Sequence, residues 1–155
     1  MQVCAIAWLS LFPTLCYSAG VAPAVQVSAA WIRWLPGDLP AAGYATLSNV
    51  GDQAVTLTGV STPDYGASMF HESRIQRGVD QMMPVPSIVI RPHFSVSFAP
   101  GGYHIMFMEP KRAIQPGDRV LVILHFAAGQ SLQVSFEVRK PDGSAAERAT
   151  QSKGG

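Results

Sequence analysis

Four side chains between positions 71 and 106 could do chemistry together: His71, Met82, His104 and Met106. His104 and Met106 stand two residues apart in Tyr103-His104-Ile105-Met106-Phe107-Met108, a segment that reads as a strand. Side chains on a strand alternate faces, so Tyr103, Ile105 and Phe107 form one large apolar face suited to a core. His104, Met106 and Met108 share the other face, and an imidazole beside a thioether makes a preformed two-ligand edge. His71 and Met82 flank a hairpin running from Glu72 to Gln81, with its tip at Gln76–Gly78. A tip at Gln76-Arg77 would set positions 71 and 82 directly opposite each other. A tip at Arg77-Gly78 would offset them by one diagonal step. Both registers keep the pair on one face, because moving a two-residue turn by one position shifts the pairing by two.

Two imidazoles and two thioethers, with no carboxylate and no thiolate, are a selective donor set. Thioethers are soft, polarisable and uncharged, and they favour Cu(I) over hard ions such as Mg²⁺ or Ca²⁺. Zinc would recruit Cys, carboxylate or a third His. A neutral set suits a monovalent ion, and only the two His couple its binding to pH. The remaining His and Met residues read as packing or surface. His93 follows Pro92 in a turn, and His125 lies in the strand 120–126. Met69 and Met83 are expected on the strand face opposite the four candidates, as packing residues. Met108 shares the face of His104 and Met106 and is expected as packing, with an outer-neighbour or transient-ligand role as the alternative. Trp31 is expected in the core and Trp34 at a sheet edge, while Arg74 and Arg77 read as solvated residues of the hairpin.

The elements that must hold these groups are short strands. Alternating runs mark Val25–Leu35, Ala42–Asn49, Ala54–Thr62, Ser68–Ile75, Val79–Met83, Ser87–Ile90, Phe94–Ala99, Tyr103–Met108, Arg119–Phe126 and Leu132–Arg139. Turn sequences such as Pro36-Gly37-Asp38, Pro100-Gly101-Gly102 and Pro116-Gly117-Asp118 separate them. No helical period and no internal repeat is present. The pattern predicts an all-β fold, a single antiparallel Greek-key β-sandwich domain. The length of 155 residues suits one domain. Charged residues make up 14% and the net charge is +1, with no basic stripe, which excludes nucleic acid as a partner.

Residues 1–19 differ from the rest. They carry no charge, and Val3 to Cys16 is almost continuously apolar, too short for a comfortable membrane span but suited to a secretory signal. Small residues at Ser18, Ala19 and Gly20 offer a cleavage site, so the chain is expected to be exported. Leu15 precedes Cys16 where a lipid-attachment motif wants a small residue, so a lipid anchor at Cys16 is not expected. Both cysteines, Cys4 and Cys16, fall inside this segment. A mature chain would then have no disulfide, no thiol chemistry and no Cys ligand for blue copper. The expected organisation is a signal over 1–19, one copper-binding domain over 20–140, and a polar, disordered tail over 141–155.

The spacing His71-x10-Met82-x21-His104-x-Met106 resembles the signature of periplasmic PCu(A)C-type copper chaperones. Ala30-Trp31-Ile32-Arg33, Ala41-Ala42-Gly43-Tyr44, Ser48-Asn49-Val50-Gly51-Asp52, His71-Glu72 and Pro100-Gly101-Gly102-Tyr103-His104-Ile105-Met106 are similar to that family's recurrent segments. The likeness runs from Val25 to Arg139. It implies a cupredoxin-like sandwich that binds Cu(I) through the four side chains and delivers it to the CuA-bearing subunit of cytochrome c oxidase, directly or through a Sco-type thiol protein. The leading reading is a carrier and not an enzyme; no small-molecule substrate is expected, and the protein is expected to be a monomer. The tail departs from relatives with His- and Met-rich extensions, since 141–155 contains neither residue. A second, tail-borne copper site is therefore not expected. The competing readings are a copper buffer or resistance protein without a dedicated acceptor, a copper redox enzyme, and a metal-free interaction module.

Overall fold

The computed structural model describes residues 24–37 and 39–142. The signal over 1–19 and nearly all of the tail over 141–155 lie outside the described residues. Among the described residues ten strands follow one another: β1 (Val25–Arg33), β2 (Ala41–Asn49), β3 (Val55–Ser61), β4 (Tyr65–Gln76), β5 (Val79–Pro84), β6 (Ile88–Ile90), β7 (Ser95–Phe98), β8 (Tyr103–Pro110), β9 (Arg119–Phe126) and β10 (Ser131–Arg139). A 3-10 turn, Ala127–Gly129, joins the last two. Every expected strand is present.

Hydrogen bonding is continuous through the order β5-β4-β8-β7-β2-β1-β10-β9-β3-β6, with β8 also pairing β2. Strands from both ends of this order feed one core, so the sheet folds face to face into a sandwich. The pairing is not wholly antiparallel. β1 runs parallel to β10, and β7 meets β8 in parallel at Phe98 and Tyr103. The first pairing arises because β1 lies between β2 and β10, bringing the first and last strands side by side.

The period-2 alternation decides what each strand buries. On β8, Ile105 and Phe107 are buried in the core together with Phe70 from β4, Ile32 from β1 and Phe136 from β10. Fully burying a side chain of this size contributes about 1.5–3 kcal/mol. The pattern inverts the expectation for the tryptophans. Ile32 takes the core position on β1, so its neighbour Trp31 faces outward and packs on Tyr44, with ring centroids 4.9 Å apart. Trp34 packs against the core instead, and its Nε1–H donates to the Ile114 carbonyl at 2.7 Å.

β2 is buried on both faces from Ala41 to Ala45. Gly43 has no room for a side chain, because a Cβ there would meet Phe107 Cε2 at 2.6 Å. That close approach lets β8 lie against β2 with Gly43 opposite Ile105 and Ala42 opposite Met106. At the end of β2, Asn49 is buried and fully used. Its Nδ2 donates to the carbonyls of Gln53 and Ile90, and its Oδ1 accepts from the Gly51 amide.

Candidate metal centre

The hairpin of β4 and β5 turns at Arg77-Gly78, where both residues have positive φ, 53° and 77°. Two consecutive left-handed residues make the tight turn that matches strand twist. This turn sets Gln76 opposite Val79 and Ser73 opposite Met82. Of the two possible registers, the diagonal one is observed, and Met82 shares the face of His71 and Ser73. On the other side of β4, His71 is directly opposite His104, and Met69 directly opposite Met106. All four candidate residues therefore lie on one face of β5, β4 and β8, away from the core.

His104 is 4% exposed. Its Nδ1 lies 3.1 Å from the Gly102 carbonyl, an acceptor only, so Nδ1 carries the proton and donates it. That leaves Nε2 as the nitrogen free to meet a metal, and it is buried and has no hydrogen-bond partner. Gly102 is held in turn: its amide donates to the Ala99 carbonyl at 3.0 Å, and its carbonyl also accepts from the Ser73 amide at 3.1 Å. The turn Pro100-Gly101-Gly102, with Gly101 at φ 82°, thus fixes the ring that follows it.

The His71 ring stacks on that of His104, with centroids 5.8 Å apart and planes 16° apart. Its Nδ1 is also buried without a partner. Burial, and then the neighbouring His104, push the His71 pKa below its ordinary value, favouring the neutral ring. A buried imidazole nitrogen without a partner is costly, and a bound metal ion would remove that cost.

Met82, His104 and Met106 line one cavity of about 310 Å³, together with Arg33, Tyr44 and Ser73. His71 does not line it and joins the group through its stack on His104. No carboxylate lines the cavity. Among the described residues, no group of three or more His, Cys, Asp or Glu could hold a metal ion. An ion held here by more protein donors than the two imidazoles would draw on the thioethers of Met82 and Met106. Neutral imidazole nitrogens and thioether sulfurs fit a soft ion of low charge.

Arg33 and Tyr44 were not singled out from the sequence, because their approach to the site depends on the β1–β2–β8 pairing. Arg33 is opposite Ala42, which is opposite Met106. Its Nε is buried without a partner, and its charge holds back the rise that burial imposes on the Tyr44 hydroxyl pKa. One expectation fails here. Met69 is not on the opposite face of its strand: β4 runs unbroken, so residues two apart share a face, and Met69 stands beside His71. Met83, opposite Glu72, does face the other way. Met108 lies on the face of Met106, opposite Ala67. His93 bonds Asp52 at 2.9 Å, His125 bonds Ser61 at 2.7 Å, and Arg74 pairs with Glu72 at 2.7 Å.

The family model "Putative lipoprotein LpqE-like" matches residues 25–138. "Putative lipoprotein Lxx21020" of Leifsonia xyli subsp. xyli is 29% identical over 119 residues, covering 76% of this chain and 71% of that protein. Among solved structures, the copper-bound PCuAC domain from PmoF2 superposes with a TM-score of 0.65 at 22% identity, covering 78% of this chain and 97% of that domain. The solution structure of Cu(I)-DR1885 from Deinococcus radiodurans gives a TM-score of 0.59 at 26% identity, over 79% of this chain and 83% of that one. The fold is that of the PCuAC domains, and the chain belongs to the LpqE-like family.

Proposed function

We propose that this protein carries a single Cu(I) ion, held by His71, Met82, His104 and Met106, and passes it to a thiolate-bearing acceptor. The observation that carries this reading is the pair of buried, unpartnered imidazole nitrogens, His71 Nδ1 and His104 Nε2, beside thioethers and without a carboxylate. The similar DR1885 has been solved with Cu(I), which supports the same cargo here. The Arg33 guanidinium adds to the selectivity, since its repulsion of a divalent cation is twice that of a monovalent one.

Transfer is ligand exchange without change of oxidation state. Met82 is 54% exposed, so an incoming thiolate reaches the ion from that side while His104 still holds it from below. Thiolate is the stronger soft donor, so the ion moves downhill to the acceptor. The acceptors that fit this chemistry are the CuA-bearing subunit of cytochrome c oxidase and Sco-type thiol proteins. The uncharged apolar run before Ala19 supports export to the periplasm. A periplasmic copper buffer would use the same site without a dedicated acceptor.

An anaerobic transfer assay tests the proposal. Copper-loaded protein mixed with a reduced Sco-type dithiol should lose its ion to the dithiol completely. Retention of the ion against excess dithiol, or no tight Cu(I) binding at the outset, would overturn it.

A further inference from the structure

We propose that Met69 is a second exchangeable thioether, able to take the place of Met82 on the ion. This deepens the Cu(I)-carrier reading and rests on it. Two direct cross-strand pairs, His71 with His104 and Met69 with Met106, form a rectangle of four donors on β4 and β8. Met82 is one strand further away and faces Ser73, so it meets His71 only on the diagonal. Diagonal neighbours on a sheet lie roughly 7–8 Å apart, and residues two apart along one strand are separated by about 6.6 Å. Met69 is thus as close to His71 as Met82 is, and it is the direct partner of Met106.

The two thioethers flank His71 along β4. Met69 is 40% exposed and Met82 54%, while His104 is buried between β4 and β2. They also open on different spaces. Met82 lines the cavity that holds Arg33, whereas Met69 lines a second cavity of about 410 Å³ with Val60, Phe70, Pro84 and Val85. An ion anchored by His71, His104 and Met106 can therefore draw its fourth donor from either side. Exchange needs no proton and no electron, because one neutral sulfur lone pair replaces another and the ion stays Cu(I). When an acceptor displaces one thioether, the other limits loss of the ion to water.

The test uses the full-length protein with Met69→Leu, Met82→Leu and the double variant, since Leu keeps volume and removes the sulfur. Anaerobic competition with a chromophoric chelator gives the Cu(I) affinity, and X-ray absorption counts sulfur neighbours. Each single variant should lose less than about tenfold, and the double variant more than about a hundredfold, a non-additive loss. The sulfur count should stay the same in both single variants and fall in the double. Thermal unfolding of the copper-free variants shows whether each still folds. A Met82→Leu protein that has already lost one sulfur, and is weakened no further by Met69→Leu, would overturn the proposal while leaving the Cu(I) reading intact. Absence of tight binding in the unsubstituted protein would remove both.

Discussion

His71 and His104 are direct cross-strand partners, and each turns a buried, unpartnered nitrogen toward the same face of the sheet. Two strands from opposite sides of the β5–β6–β7 excursion are brought together there, and the pairing explains why neither histidine makes sense alone. If the pair anchors an ion, His104→Ala and Met106→Ala should each weaken Cu(I) binding by more than about a hundredfold. His93→Ala and His125→Ala should change it less than about twofold, because those rings are engaged with Asp52 and Ser61. Anaerobic chelator competition measures all four. An equal loss in all four variants would point to general misfolding.

The Gly102 carbonyl dictates which nitrogen of His104 carries the proton. Long-range nitrogen–proton correlation spectra of the copper-free protein at neutral pH should show His104 as the Nδ1–H tautomer, with Nε2 unprotonated. The opposite tautomer would break the link between the Pro100–Gly102 turn and the site.

The pH dependence follows from His71. Its folded pKa is lowered by burial and by His104, so the unfolded chain takes up its proton first as pH falls. The stability His71 contributes is fully present above the ordinary His pKa of about 6.5 and is lost as pH drops through the lower folded value. Chemical denaturation of the copper-free protein between pH 8 and 5 should show this decline, and His71→Ala should flatten it. Cu(I) affinity should fall only at lower pH, as the folded copper-free protein itself takes up the proton that competes for the His71 nitrogen.

The core cluster is built of apolar side chains that include none of the four candidate ligands. Copper-free protein should unfold cooperatively, and Gly43→Ala should destabilise it by about 1–3 kcal/mol through the clash with Phe107. Because Phe107 shares β8 with His104 and Met106, the same variant should also weaken Cu(I) binding. Denaturant melts and chelator competition on one preparation check both effects. A Gly43→Ala protein as stable as its parent would show that Phe107 can move aside.

The ten strands were legible because each carries its own alternation and most end at Gly, Pro or Asp. Pairing across strands was less so. The sequence allowed two hairpin registers, and the choice fell to Arg77-Gly78, where a glycine permits the second positive φ. The face of Met69 needed only the two-residue period already applied to His104 and Met106. Trp31 faces outward and Trp34 packs on the core because Ile32, adjacent to Trp31 and two residues before Trp34, took the core position. Arg33 and Tyr44 were out of reach, since they meet the site only through β1–β2–β8 pairings between segments far apart in the chain.

X-ray absorption on the protein loaded with one equivalent of Cu(I) tests the central claim most directly. The account predicts two imidazole nitrogens and two thioether sulfurs around a monovalent copper. A copper bound by oxygen and nitrogen alone, or with a spectrum unchanged by His104→Ala, would contradict it.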